Sequence, residues 1–184
     1  MKIYFQLRSD HDVFPEVLES LKRQTVSCEL IENRTPGPAE ESSRHYTPAR
    51  AESERIGRCQ IRDMAIASGD KYVCMSDRDP VHLMDTNIED GIKFLDEHPD
   101  YGAVSYFGKK DAGQKDEDLP HINFGFAMWQ VSVLKNTTFK NTTGACLCFD
   151  VAREIRTQKY DEKSNYKFGY IDDLSKPRIK EIIK

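Results

Sequence analysis

Lys71-Tyr-Val-Cys-Met-Ser-Asp-Arg-Asp-Pro80 is the stretch on which the fold turns. Tyr72 to Met75 is a near-continuous apolar run, the pattern of a strand covered on both faces in a parallel sheet. It passes through Ser76 straight into two aspartates separated by one arginine, charges that a buried strand end has no use for unless something meets them there. Gly69-Asp70 just ahead is a stop signal, and behind it Gly57, Ile61, Met64, Ala65 and Ser68 recur on one face of a helix expected over residues 51–68. Arg55, Arg58 and Arg62 make a separate basic stripe on that helix at i, i+3 and i+7.

The same alternation of periods extends in both directions. Ile3, Phe5 and Leu7 repeat every second residue as in a strand, Arg8 to Asp12 break the run, and Phe14, Val17, Leu18 and Leu21 come next at helical spacing with Pro15 suited to a first turn. A short strand is expected at 28–31, then an irregular polar segment from Glu32 to about Arg50, long enough to suggest a functional loop. After the aspartates, Ile88, Ile92 and Leu95 mark a helix over 87–97, and 101–107 makes the next strand. Residues 109–118 form a charged loop, and 122–134 are aromatic and apolar without clean periodicity. Cys148, Val151, Ala152 and Ile155 indicate a helix starting near Asp150, 167–171 a strand, and 177–184 a short basic helix. Strands alternating with helices argue an α/β fold, Rossmann-like, with a central mainly parallel sheet flanked by helices. We expect a single domain over 1–184, with a looser segment at about 109–150.

Composition limits the function. The chain has 184 residues and a formal net charge of −4, so it offers no broad basic field for nucleic acid. No apolar run approaches the roughly 20 residues of a membrane span, and the N-terminus turns polar too soon for a secretion signal. The five cysteines are odd in number, and Cys146-Leu-Cys148 lacks the second pair of a structural zinc site. Reduced thiols in a cytoplasmic protein are the expectation, which makes the Asn-X-Thr patterns at Asn33, Asn136 and Asn141 irrelevant to glycosylation.

Ligands of open α/β sheets are met beyond the carboxyl ends of the strands, which is where Asp77 and Asp79 stand. Two carboxylates one residue apart suit a hard divalent cation such as Mg²⁺ or Mn²⁺, which takes oxygen ligands and bridges to phosphate. A surface turn opened by Pro80 is the plainer alternative.

These pieces together resemble the GT-A glycosyltransferases, especially the inverting family 2 type, over roughly residues 2 to 172. Glu19-Ser-Leu-Lys-Arg-Gln-Thr25 is similar to that family's S-L-x-x-Q-T helix end, Ala67-Ser-Gly-Asp-Lys-Tyr-Val73 to its A-x-G-x-Y-I entry, and Ser76-Asp-Arg-Asp79 to its D-x-D motif. The resemblance implies a GT-A-like fold and transfer of a sugar from a nucleotide-diphosphate donor to a hydroxyl acceptor on a glycan, lipid or protein. It implies that Asp79 ligates Mn²⁺ or Mg²⁺ and that Asp77 contacts the ribose or shares the metal. Residues 144–171 resemble the family's E-D-x-x-L-x-x-R segment, which makes Asp150 the general base; an acid in a first helical turn is also favoured by the helix dipole. Phe149 stands where the family usually has a glutamate, and Glu32-Asn33 where it often has two acids that read the base.

Arg8, Glu32, Arg55, Arg58 and Arg62 are the further candidate nucleotide-sugar contacts, arginine forks being suited to phosphate oxygens, with Arg44 and Arg50 beside them. Trp129 is a candidate acceptor or sugar contact, or a core residue, and His121 an extra ligand or phosphate contact, or a loop histidine without a role. Two other functions fit parts of the pattern. A haloacid-dehalogenase-like phosphatase would use Asp77 as nucleophile, with Ser105, Lys167 and Asp172-Asp173 downstream. A non-catalytic nucleotide-sugar-binding module would need the same cleft and no base.

Overall fold

Alternation sets the layers. In β1 (Lys2–Arg8), Ile3, Phe5 and Leu7 enter one apolar cluster while Tyr4 enters another. β3 (Tyr72–Ser76) divides in the same way, Tyr72 and Cys74 against Val73 and Met75, and so does β6 (Phe126–Gln130), Phe126 and Met128 against Ala127 and Trp129. A sheet runs between the two clusters. The first is covered by α1 (Pro15–Lys22) and α3 (Asn87–Glu97), whose Val17, Leu21, Ile88 and Leu95 are buried. The second is covered by α2 (Pro48–Ser68), α4 (Val131–Leu134) and α5 (Leu147–Thr157), through Ile61, Ala65, Val133, Val151 and Ile155. Each fully buried Val, Leu or Ile among them contributes about 1.5–3 kcal/mol.

The computed structural model describes residues 1–9, 11–36, 48–106, 125–140, 147–171 and 178–182. With β2 (Glu29–Thr35), β5 (Tyr101–Ser105) and β7 (Lys167–Tyr170), the sheet has six strands in the order β2-β1-β3-β6-β5-β7. Every strand is parallel to the others except β6, which pairs antiparallel with both β3 and β5. This is the expected α/β class with a mostly parallel central sheet. No helix among the described residues is long and apolar enough to cross a membrane.

Four local expectations are corrected. β2 continues through Glu32 to Thr35 instead of ending at Ile31, because it is the edge strand and its solvent-facing positions accept Glu29, Glu32 and Arg34. α2 begins at Pro48, ahead of the expected residue 51. The unperiodic stretch 122–134 contains β6 and α4, and β6 is apolar from Phe126 to Trp129 because both of its faces are covered there. The expected C-terminal helix is instead a short strand, β8 (Ile179–Glu181), antiparallel to β4 (Pro80–His82). So few residues form a poor helix, whereas a strand puts Ile179 into the α1/α3 cluster. Residues 37–47 and 107–124, with Arg44, His121 and the charged loop, lie outside the described residues, as do Cys146 and 172–177.

Candidate functional site

The turn that carries the aspartates is anchored through its backbone on three separate elements. The Asp77 N–H donates to the Gly125 carbonyl at 2.9 Å, the Phe14 N–H to Arg78 at 3.1 Å, and the Ile182 N–H to Asp79 at 3.1 Å. The N-cap of α1, the entry to β6 and the exit of β8 thus hold a segment that would otherwise carry two like charges into solvent.

Around this turn opens a cleft of about 270 Å³. Its floor is the carboxyl end of β1, with Gln6 to Arg8 and His11; Thr35 of β2 and Ser53, Glu54 and Arg58 of α2 form one wall, and 77–79 the other. A close approach puts Arg58 there. A Cβ on Gly57 would stand 2.0 Å from the Gln6 side-chain amide, so a larger residue would require that amide to swing off its bonds to Thr35 and Asn33, and glycine lets α2 sit close to β1 with those bonds kept. Asn33 ties the contact by donating to Gln6 Oε1 at 3.1 Å and to the Gly57 carbonyl at 3.0 Å. The next residue, Arg58, is then 3% exposed and donates from Nη2 to Asp77 Oδ1 at 2.7 Å.

The electrostatics stem from that burial. Withdrawal from bulk water pushes the Asp77 carboxyl up to about 7; Arg58 opposes the rise, and the like charges of Glu54 and Asp79 add to it. The side chain still keeps 44% of its accessible surface on the cleft, so cleft water and any bound cation soften this burial. Asp79 is raised as well, first by desolvation. Two carboxylates that are both reluctant to ionise beside each other are stabilised by a shared cation.

Of the candidate residues, Asp77, Asp79, Arg8 and Arg58 share the cleft. Arg55 and Arg62 do not line it: Arg55 pairs with Glu52 at 2.6 Å, and Arg62 pairs with Asp63 at 2.8 Å and donates to the Thr137 carbonyl at 2.9 Å. The basic stripe divides because only Arg58 comes directly after the Gly57 contact. Glu32 is exposed on β2, bound to Arg34 at 2.7 Å. Trp129 is a core residue, 0% exposed between Val73 and Ala103 in the sheet, so neither of its faces is open to a sugar ring.

Asp150 is 3% exposed in the first turn of α5, deeper than its place off the helix's apolar repeat suggests, and is not part of the described cleft wall. On the same helix Ile155 lies where a Cβ on Gly102, at the start of β5, would meet it.

Sequence reasoning missed Thr35, His11, Ser53, Glu54 and Arg78 as cleft residues. Glu54 had a signal, being one helical turn before Arg58. Thr35 had none once β2 was ended early.

The donor set suits a hard ion. No group of three or more His, Cys, Asp or Glu gathers among the described residues, so a closed protein cage is not built here. Asp77 and Asp79 supply carboxylate oxygens from one turn, which fits Mg²⁺ or Mn²⁺, ions that keep waters and take further ligands from a substrate phosphate.

No protein-family profile matches the chain, and no curated protein sequence matches it. Among solved structures the fold is similar to the mannosyltransferase PcManGT from Pyrobaculum calidifontis in complex with GDP-Man and Mn²⁺, at 12% identity and a TM-score of 0.55 over 94% of this chain and 55% of that one. Matches also occur to a glycosyltransferase involved in glycosylation of the major capsid of PBCV-1, at 10% identity and TM-score 0.48 over 93% and 81% of the two chains. A third is the protein A197 from STIV, at 17% identity and TM-score 0.45 over 73% and 68%. This chain spans little more than half the length of the mannosyltransferase. What it shares with that enzyme is the fold, a mixed α/β architecture on a mostly parallel sheet.

Proposed function

We propose that the protein is a glycosyltransferase that moves a sugar from a nucleotide-diphosphate donor to a hydroxyl acceptor, with inversion and with Mn²⁺ or Mg²⁺ as cofactor. The observation that carries this reading is the cleft in which Asp77 and Asp79 face Arg8 and Arg58 at the carboxyl ends of β1 and β3. Two acids beside two guanidinium groups suit a diphosphate joined to a divalent ion better than either ligand alone. The mannosyltransferase of similar fold holds GDP-Man and Mn²⁺, which supports the same donor class and ion type here.

In this reading Asp79 and Asp77 hold the ion, while Arg8 and Arg58 bind the phosphate oxygens and orient the donor. When bound, the ion supplies Lewis-acid stabilisation of the charge that develops on the leaving nucleotide diphosphate. Asp150 accepts the proton from the acceptor hydroxyl as the anomeric carbon is attacked on the face opposite the leaving group. That role is carried over from the resemblance of residues 144–171 to the glycosyltransferase base segment. Reduced thiols and a cytoplasmic setting belong to the proposal, and Cys28, Cys59, Cys74 and Cys148 are present as thiols.

The phosphatase reading loses support at Lys167. That residue starts β7, at the opposite end of the sheet from Asp77, and pairs with Asp100 at 2.7 Å. A binding module without catalysis uses the same cleft and is separated by turnover.

The test is thermal stabilisation by UDP-, GDP- and dTDP-sugars with and without Mn²⁺, together with assay of nucleotide diphosphate release, since a ligand bound only by the folded state raises its stability. Metal-dependent stabilisation with release supports the transferase. Stabilisation without release favours the module, and release of phosphate from a monoester with no nucleotide effect overturns the proposal.

A further inference from the structure

Resting on that reading, we propose that Arg58 is an internal counter-ion that changes partners: it holds Asp77 before the divalent ion arrives and passes to the donor's phosphates when the ion takes Asp77. The first observation is an asymmetry within the pair. The cation is rooted in protein, 3% exposed, while the anion keeps 44% of its side-chain surface on the cleft, and they meet at 2.7 Å. Asp77 Oδ1 is therefore already engaged by a charge-assisted bond, and a hard cation that claims Asp77 competes with the guanidinium.

The second observation is charge. Among the described residues of the cleft, Arg8, Arg58 and Arg78 are matched in number by Glu54, Asp77 and Asp79. A formally balanced cleft has little net pull on a diphosphate. A divalent ion makes the balance positive and at the same moment draws Asp77 away from Arg58. A buried guanidinium that loses a close anion is strongly disfavoured, so the displaced group gains from a new acceptor within reach. A phosphate in the same cleft supplies one, and its oxygens accept the planar fork of an arginine in a way a lysine cannot copy.

The exchange makes ion and nucleotide mutually dependent. Each binds better with the other present, by the same factor in both directions. It also gives Arg58 opposite effects on the two ligands, which an ordinary structural arginine would not have.

Binding of Mn²⁺ alone, monitored by the electron paramagnetic resonance of free Mn²⁺, and binding of GDP and UDP at saturating Mn²⁺, monitored by calorimetry, separate the cases. Arg58→Gln is expected to bind Mn²⁺ alone about tenfold more tightly and the nucleotides about tenfold more weakly, the size of one charge-assisted hydrogen bond. Arg58→Lys is expected to recover part of the nucleotide affinity. Asp77→Asn, which takes that anion from Arg58, is expected to bind GDP or UDP without metal more tightly than the wild type does without metal. If the wild type binds Mn²⁺ with nucleotide but Arg58→Gln binds Mn²⁺ alone no more tightly, and Asp77→Asn gains no metal-free nucleotide affinity, the exchange is wrong and the transferase reading stands. If the wild type takes up no Mn²⁺ even with GDP or UDP present, both fall together.

Discussion

The carboxyl end of β3 and the β6/α5 side of the sheet both carry residues with plausible chemistry, yet the structure treats them oppositely. At β3, Asp77 and Asp79 open into a cleft with Arg8 and Arg58. On the other side Trp129 is 0% exposed, paired within the sheet, and Asp150 is 3% exposed in the first turn of α5. The difference arises where each strand ends. β3 runs into a turn held by its backbone from three directions, which leaves its side chains free to face outward. β6 is covered on both faces and leads straight into α4, so its aromatic residue becomes packing. An acidic turn serves ligands where the backbone carries the structural load, and an aromatic ring such as Trp129 serves the core where the side chain does.

The widest separation between the two regions is expected from Trp129→Ala. Removing a fully buried indole leaves a cavity against Val73, Ala103 and Phe139, and such truncations cost about 3–5 kcal/mol. Urea unfolding reads this directly. If the variant kept its stability and lost only sugar binding, the tryptophan would belong to the site and the comparison would fail. Asp77→Asn with Asp79→Asn is expected to behave in the reverse way. Loss of even an outer partner of a metal site lowers affinity about 10–100-fold, so removing both ligands is expected to weaken metal-supported nucleotide binding about a hundredfold or more, with a loss of stability confined to the broken Asp77–Arg58 pair. Asp150→Asn sharpens the contrast: calorimetry is expected to find donor binding within about twofold of wild type, because Asp150 is outside the described cleft wall, while transfer is lost.

The legible parts of the sequence were those in which one period or one motif decided the outcome. Ile3, Phe5 and Leu7, the run from Tyr72 to Met75, and Ile88, Ile92 and Leu95 announced β1, β3 and α3 because burial on a known face dictated them. Asp77 and Asp79 announced the cleft because charge at the end of a buried strand has few other uses. The rest depended on partners distant in sequence. Glu32 to Thr35 look like a loop until β1 is known to lie beside them. Ile179 to Glu181 have no strand signal apart from β4, which is itself a short pairing segment. Arg55, Arg58 and Arg62 looked alike, since nothing in the helix pattern says that Gly57 lets just one of them reach the cleft.

A smaller effect sets the open turn against the buried strand that continues from it. Three residues beyond Asp79, His82 is 0% exposed, with Asn87 Nδ2 3.1 Å from its Nδ1 and Phe126 edge-on at 4.4 Å. Burial, with Arg23 adding repulsion, holds its folded value at about 3, below the ordinary 6.5. As pH falls below about 6.5 the unfolded chain takes up this proton first. The stability from a neutral His82 is therefore present above that pH and is lost towards pH 3, at up to about 1.4 kcal/mol per pH unit. Unfolding free energies measured between pH 4 and 7 are expected to fall more steeply for the wild type than for His82→Phe. Parallel slopes would mean that the ring is hydrated in the folded protein and that β4 is as open as the turn before it.

The smallest effect concerns arginines on one helix. Arg55 and Glu52 are each about a third or more exposed, at 34% and 54%, and their bond at 2.6 Å joins neighbours on the same turn of α2. Glu52 is lowered first by its hydrogen bond to Arg55, but screening by water leaves exposed pairs of this kind with little net energy. Arg55→Ala is therefore expected to change stability by less than about 1 kcal/mol and nucleotide affinity not at all, measured beside Arg58→Gln in the same titrations. Two arginines three positions apart would then differ by an order of magnitude in binding although their helical propensity and charge are identical. The cause would be the single glycine that brings α2 against β1 just before the second of them. If Arg55→Ala weakened nucleotide binding as much as Arg58→Gln, the whole basic stripe would face the ligand, and the cleft would extend further along α2 than its present walls.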